Sequence, residues 1–75
     1  MSMDNEEYIR SKCDMSWSFE ERVKRIEEEI NLCAIRARIY ARVLSTDEYK
    51  FEIKKKMHRG ISVSYLSISY QNKEE

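Results

Sequence analysis

Between residues 18 and 44 the hydrophobic positions recur every three or four residues, which is typical of an α-helix. Ser18 and Glu21 have the spacing of a capping box at its start, and neither Gly nor Pro interrupts the segment. Steps of four and three residues alternate over nearly four heptads, so the pattern predicts one long helix with a coiled-coil seam. The seam positions are Phe19, Val23, Ile26, Ile30, Cys33, Ala37, Tyr40 and Leu44.

The second half of this helix carries another apolar stripe, formed by Leu32, Ile35, Ile39 and Val43. A helix that is apolar on two sides must be covered on two sides. Residues 18–44 as one helix would measure about 40 Å, whereas a compact domain of this length is about 29 Å across. The segment is therefore predicted to need a partner.

The simplest partner for such a helix is a second copy of the same chain. We expect a homodimer in which the eight seam residues form the interface, with a higher oligomer as the alternative. An antiparallel arrangement is favoured because residues 1–21 hold two basic and six acidic side chains, while residues 22–59 hold eleven basic and six acidic ones. The acidic start of one copy would then face the basic end of the other.

Residues 48–70 alternate between hydrophobic and polar positions, which predicts a two-stranded β-hairpin. The only glycine, Gly60, lies where a tight turn needs a positive φ. The phase of the alternation changes between Tyr65 and Leu66. Either a β-bulge restores one apolar face, or the second strand shows one face to each of two neighbours. Before that change the apolar positions are Tyr49, Phe51, Ile53, Met57, Ile61, Val63 and Tyr65.

The two ends of the chain are polar. Residues 1–16 are acidic, and Asp4 with Glu7 has the spacing of a helix cap, so this segment is predicted to be either a short helix or a frayed tail. Residues 71–75 form a polar tail. The sequence thus predicts a single small α+β domain: a short N-terminal helix, one long central α-helix and an antiparallel hairpin, assembled as an oligomer.

Basic side chains cluster in two places although the formal net charge is zero. On the helix, Arg38 and Arg42 are four residues apart and share a face. Clustered cations of this kind bind phosphates or acidic proteins. The alternatives are an edge strand protected by lysines and solubilising side chains on a buried helix. The cluster at the predicted hairpin tip consists of Lys54, Lys55, Lys56, His58 and Arg59.

No catalytic or cofactor-binding motif occurs in the 75 residues. Cys13, Asp14, Cys33 and His58 match no zinc spacing, so we expect no catalytic residue, metal or cofactor. No apolar run is long enough to span a bilayer, and the acidic first residues do not resemble a signal peptide. Two cysteines without a secretion signal are expected to be reduced thiols in the cytoplasm.

These features predict a small, non-enzymatic, cytoplasmic interaction protein. It would act as an oligomer that binds and modulates another protein, as an inhibitor, adaptor or regulator of the kind that phages and viruses encode. The alternative is a nucleic-acid-binding regulatory protein that uses the basic hairpin tip. Salt separates the two, because nucleic-acid binding weakens steeply as the ionic strength rises.

Overall fold

The computed structural model describes residues 4–71, and within them the chain forms three α-helices followed by one antiparallel β-hairpin. The chain is therefore α+β, and the hairpin lies where the alternation predicted it. The helical part differs from the prediction. The elements are α1 (Asn5–Lys12), α2 (Phe19–Leu32), α3 (Ala34–Leu44), β1 (Tyr49–His58) and β2 (Ile61–Tyr70).

Both helix starts that the sequence predicted are capped by side chains. The Asp4 carboxylate accepts a hydrogen bond from the Glu7 backbone N–H at 2.9 Å, so the short N-terminal helix is confirmed. The Ser18 hydroxyl accepts from the Glu21 N–H at 3.1 Å, and the Glu21 carboxylate accepts from the Ser18 N–H at 2.9 Å. This reciprocal pair is the predicted capping box.

The single long helix over residues 18–44 is wrong, because the chain breaks at Cys33. This residue is extended, with φ −164° and ψ 114°. Its N–H still donates to the Glu29 carbonyl at 2.7 Å, and its carbonyl accepts from the Ala37 N–H at 3.0 Å. Cys33 therefore ends α2 and begins α3 without a proline or glycine.

The break is explained by what α3 buries afterwards. The helix packs against α1, α2 and β1. Each buried apolar side chain of this size contributes about 1.5–3 kcal/mol, more than the about 1 kcal/mol of each backbone hydrogen bond lost at the break. Tertiary packing thus outweighs helix continuity. The resulting core consists of Ile9, Ile26, Tyr40, Ala41, Val43, Leu44 and Phe51.

The predicted seam is largely covered by the chain itself. Ile26, Ala37, Tyr40 and Leu44 are fully buried within the chain, so these four present no surface to a second chain, and an oligomer interface along the seam stays a prediction. The other seam residues, Phe19, Val23, Ile30 and Cys33, are half-buried. Exposed apolar surface lies instead at the helix break, where Leu32 is 77% and Ile35 is 65% exposed.

A buried arginine ties the loop before α2 to the end of α3. The Arg22 guanidinium donates to the Leu44 carbonyl at 2.7 Å, to the Trp17 carbonyl at 3.0 Å and to the Met15 carbonyl. The Leu44 carbonyl lies at the negative end of the α3 dipole, which suits a cation. Arg22 is thus an internal brace that the sequence pattern did not predict.

The hairpin is regular from its open end to its turn. Arg59 and Gly60 have φ values of 54° and 79°, the two positive angles of a type I′ turn. Pairing runs without interruption from Tyr49 opposite Tyr70 to His58 opposite Ile61. No bulge interrupts these strands, so the change of phase in β2 places its apolar residues on two different faces.

Only the open half of the hairpin packs on the helices. We call this half the base (residues 49–53 and 66–70) and the remainder the tip (residues 54–65). The helix face of the base carries Tyr49, Phe51, Ile53, Leu66, Ile68 and Tyr70, most of which contact the core. Every residue from 54 to 63 is exposed. Ile61, Val63 and Tyr65 point to the opposite, outer face, so the tip projects as a two-sided arm.

Candidate functional site

A cleft of about 480 Å³ runs along the outer edge of β1 beside α3. We call it the basic cleft. Its volume lies within the range of about 300–1,000 Å³ that is typical of ligand sites. The cleft is lined by Arg38, Ala41, Arg42 and Ser45 on one side and by Lys50, Phe51, Glu52, Ile53 and Lys54 on the other.

The serine that follows α3 holds the two walls of the cleft together. The Ser45 hydroxyl donates to the Ala41 carbonyl at 2.8 Å and accepts from the Phe51 backbone N–H at 2.9 Å. The floor is apolar, because Ala41 and Phe51 are buried and Ile53 is half-buried. Helix and strand edge are thereby fixed relative to each other.

Four cationic side chains and one carboxylate line the walls of the cleft. Arg38 and Arg42 lie one helical turn apart on α3, and Lys50 and Lys54 share the outer face of β1. Glu52 stands between the lysines, with its carboxylate 4.0 Å from the Lys54 ammonium. The excess of positive charge favours an anionic ligand.

One end of the cleft is held by α1. The Glu6 carboxylate binds the Arg10 and Arg42 guanidinium groups, each at 2.9 Å. Arg10 first, and then Arg42, lowers the pKa of the Glu6 carboxyl, so it is ionised at neutral pH and orients Arg42. Arg38 makes no ion pair within residues 4–71. Of the two arginines, Arg42 is therefore engaged in an ion pair, whereas the Arg38 guanidinium remains available to a ligand.

The cleft also contains an open strand edge. The Gln71 N–H donates to the Glu48 carbonyl at 2.9 Å, so the register makes even-numbered residues of β1 the ones that bond to β2. The odd-numbered residues direct their backbone groups outward. The Phe51 N–H donates to the Ser45 hydroxyl, but the outward backbone N–H and carbonyl groups of Ile53 and Lys55 have no partner among residues 4–71.

The structure brings three of the predicted binding residues together and leaves four apart. Arg38, Arg42 and Lys54, which are distant in sequence, meet in the basic cleft. The other four, Lys55, Lys56, His58 and Arg59, are exposed on the tip outside it. Lys55 points to the helix face, Lys56 and His58 to the outer face, and Arg59 lies in the turn.

Lys50 and Ser45 are among the cleft residues that the sequence pattern did not identify as binding residues. Lys50 lies four residues before Lys54 in an alternating strand, so its position on the same face could have been predicted from the sequence. Ser45 gave no such sign, because its role depends on the packing of α3 against β1. The Lys56 ammonium, outside the cleft, lies 5.2 Å from the centre of the Tyr65 ring on the outer face.

Residues 4–71 hold neither a cluster of metal-binding side chains nor a helix that could cross a membrane. Three or more His, Cys, Asp or Glu side chains do not gather there in a way that could hold a metal ion. None of the helices in this part of the chain is long and apolar enough to cross a membrane. Cys13 is partly buried, and this burial raises the pKa of its thiol.

Comparisons with protein-family models, with curated proteins and with solved structures find no match for this chain. Its function is therefore argued from the geometry and charge of its own residues. The basic cleft and the hairpin are the features that bear on it.

Proposed function

We propose that this protein is a small, non-enzymatic, cytoplasmic interaction protein. It binds an acidic, extended segment of another protein in the basic cleft and thereby modulates that protein. The observation that carries the proposal is the convergence of Arg38, Arg42, Lys50 and Lys54 over an apolar floor at an open strand edge.

An extended peptide matches each part of this arrangement. Its backbone would pair with the outward groups of Ile53 and Lys55, in the manner of a strand added to a sheet edge. Successive side chains of a strand point to opposite sides, so acidic residues at alternate positions would face Lys50 and Lys54 on the outer face of β1. The intervening apolar residues would lie over Ile53 and Phe51.

A protein ligand suits the cleft better than a nucleic acid does. Binding of single-stranded nucleic acid relies on exposed aromatic rings on which bases stack. Among residues 4–71, the only aromatic residue lining the cleft is Phe51, which is 3% exposed. The strand edge, in contrast, offers backbone donors and acceptors that a phosphate backbone does not use in this pattern.

Nucleic-acid binding is the second candidate, supported by the exposed basic tip rather than by the cleft. Lys54, Lys56 and His58 share the outer face with Tyr65, an aromatic ring on which a base could stack. Its signature is an affinity that falls steeply with salt, in proportion to the number of phosphates neutralised. Replacing Lys55 and Lys56 with alanine would then reduce binding while leaving the basic cleft unchanged.

Reversing two charges in the cleft is expected to abolish capture of the protein partner. In Arg38→Glu with Lys54→Glu, an acidic segment would meet like charges, and its affinity should fall at least about tenfold. The measurement is the quantity of each protein retained from native cell extract by immobilised wild type and variant, with and without nuclease.

The matched control carries Lys12→Glu with Lys24→Glu, the same charge change on helix surfaces outside the cleft. The proposal expects a protein that wild type and control retain, that the cleft variant loses and that nuclease does not release. Equal retention by all three proteins would contradict the role of the cleft. Release by nuclease would support the nucleic-acid alternative instead.

A further inference from the structure

The two edges of the hairpin are protected to different extents. The β1 edge is partly closed by Ser45 and carries lysines at Lys50, Lys54, Lys55 and Lys56. The strand β2 has no charged residue and no proline in its ten positions. Soluble proteins normally protect a free strand edge with charged residues or proline, so the uncharged β2 edge indicates a surface that pairs with another strand.

The outward backbone groups of β2 belong to its even-numbered residues. The register and the bond from Gln71 to Glu48 commit the odd-numbered residues of β2 to β1. Among residues 4–71, nothing accepts from or donates to the outward groups of the even-numbered residues, which are Ser62, Ser64, Leu66, Ile68 and Tyr70. A two-stranded sheet is marginal in stability, and further strands stabilise it.

We propose that β2 pairs antiparallel with β2 of a second copy, so that two chains form one four-stranded sheet. This inference goes beyond the proposed function and does not depend on the basic cleft. A two-fold axis perpendicular to the sheet keeps the helix faces of both copies on one side. It also brings together two uncharged strands, whereas pairing through β1 would place lysines of the two copies side by side.

When the two β2 strands overlap along nearly their whole length, the two-fold axis lies at Leu66. Ser64 then faces Ile68 of the second copy, and Ser62 faces Tyr70, so every outward residue meets an outward residue. About ten backbone hydrogen bonds would form, the number found in a typical protein–protein interface. The helices pack on the base of each copy, and the two bases lie at opposite ends of the paired strands, so the helical layers of the two copies lie at opposite ends of the sheet.

This dimer leaves both basic clefts free. The strand order becomes β1, β2, β2 and β1, so each cleft lies at an outer edge of the sheet. Neighbouring strands are about 4.8 Å apart, which separates the two β1 strands by about 14 Å. The dimer would therefore present two equivalent binding sites that can engage one partner with repeated acidic segments or two partners together.

Proline at directly opposite positions of the two strands tests this dimer. Ser64 and Lys55 face each other in the hairpin, and the N–H of each points outward, so proline at either site removes no bond between β1 and β2. Ser64→Pro is expected to raise the dimer Kd by about a hundredfold, whereas Lys55→Pro should leave it unchanged. The measurement is molar mass by light scattering across a dilution series.

A second measurement uses the wild type alone, so it tests the dimer even if Ser64→Pro fails to fold. Amide hydrogen exchange should show that the amides of Ser64, Leu66 and Ile68, which have no partner in one chain, become protected only as protein concentration rises, whereas those of Val63 and Tyr65, which bond to β1, are protected already at the lowest concentration. A monomeric wild type at sub-millimolar concentration would overturn the inference. So would a dimer that survives Ser64→Pro, one that only Lys55→Pro disrupts, or even-numbered β2 amides without concentration-dependent protection.

Discussion

Arg22→Ala is expected to lower the free energy of unfolding by about 4 kcal/mol. The change leaves the carbonyls of Met15, Trp17 and Leu44 without their donor. The bond to Leu44 is buried and the other two are part-buried, so the Leu44 carbonyl contributes most of the loss, at about 1–3 kcal/mol for a buried unsatisfied group. A domain of this length has a total stability of about 4–11 kcal/mol. The variant should therefore unfold at a clearly lower urea concentration than the wild type.

Two comparisons isolate the brace formed by Arg22. Lys24→Ala, at an exposed position on the same helix, should change the free energy of unfolding by less than about 0.5 kcal/mol. Arg22→Lys retains the charge but not the planar fork of donors, so its stability should lie between those of wild type and Arg22→Ala. Equal stability of Arg22→Ala and Lys24→Ala would contradict the role assigned to the three hydrogen bonds.

The second large effect concerns two isoleucines that the sequence pattern placed on different stripes of one helix. Ile26 is 0% exposed in the core, whereas Ile35 remains open at the helix break. Truncating a buried isoleucine to alanine costs about 2–5 kcal/mol, so Ile26→Ala should lose that much. Ile35→Ala should stay within about 0.5 kcal/mol of the wild type.

Equilibrium unfolding at several protein concentrations distinguishes a core residue from an interface residue. A role of Ile26 in the core of one chain predicts that the difference between Ile26→Ala and Ile35→Ala persists at every concentration. If Ile26 were an interface residue, the substitution would dissociate the oligomer and its cost would vanish on dilution. That outcome would support the predicted interface along the seam and contradict the placement of Ile26 in the core of one chain.

Features that depend on nearby residues were predictable from the sequence. Ser18 and Glu21 form their capping box because both partners lie within one helical turn. Gly60 permits the type I′ turn because positive φ values cost glycine nothing. The alternation of hydrophobic and polar residues around Gly60 predicted the hairpin, since side-chain direction in a strand repeats every two residues. Local chemistry alone was sufficient at these positions.

The break at Cys33 was not predictable in this way. Heptad spacing continues through it, and no proline, glycine or strong cap marks the position. The chain bends there because α3 can then bury Tyr40, Val43 and Leu44 against elements that lie elsewhere in the sequence. An apolar seam that looks like an interface along the chain therefore became a core once the helix folded back.

The basic cleft shows the same division between local and tertiary information. Arg38 with Arg42, and Lys54 with its neighbours, were recognisable as two separate basic groups. Their convergence depends on the packing of α3 against β1 and on the bond between Ser45 and Phe51. The ion pair of Glu6 with Arg42 joins residues 36 positions apart, so no local pattern predicted it.

Binding of an acidic extended segment in the basic cleft is measured by amide chemical shifts on titration with a peptide that alternates glutamate and valine. Saturable changes are expected, and they should be largest at residues 38–42 and at Ile53 and Lys54. Arg38→Glu and a matched glutamine–valine peptide should abolish them. Changes that do not saturate, or that centre on the turn at residues 58–61, would contradict the claim.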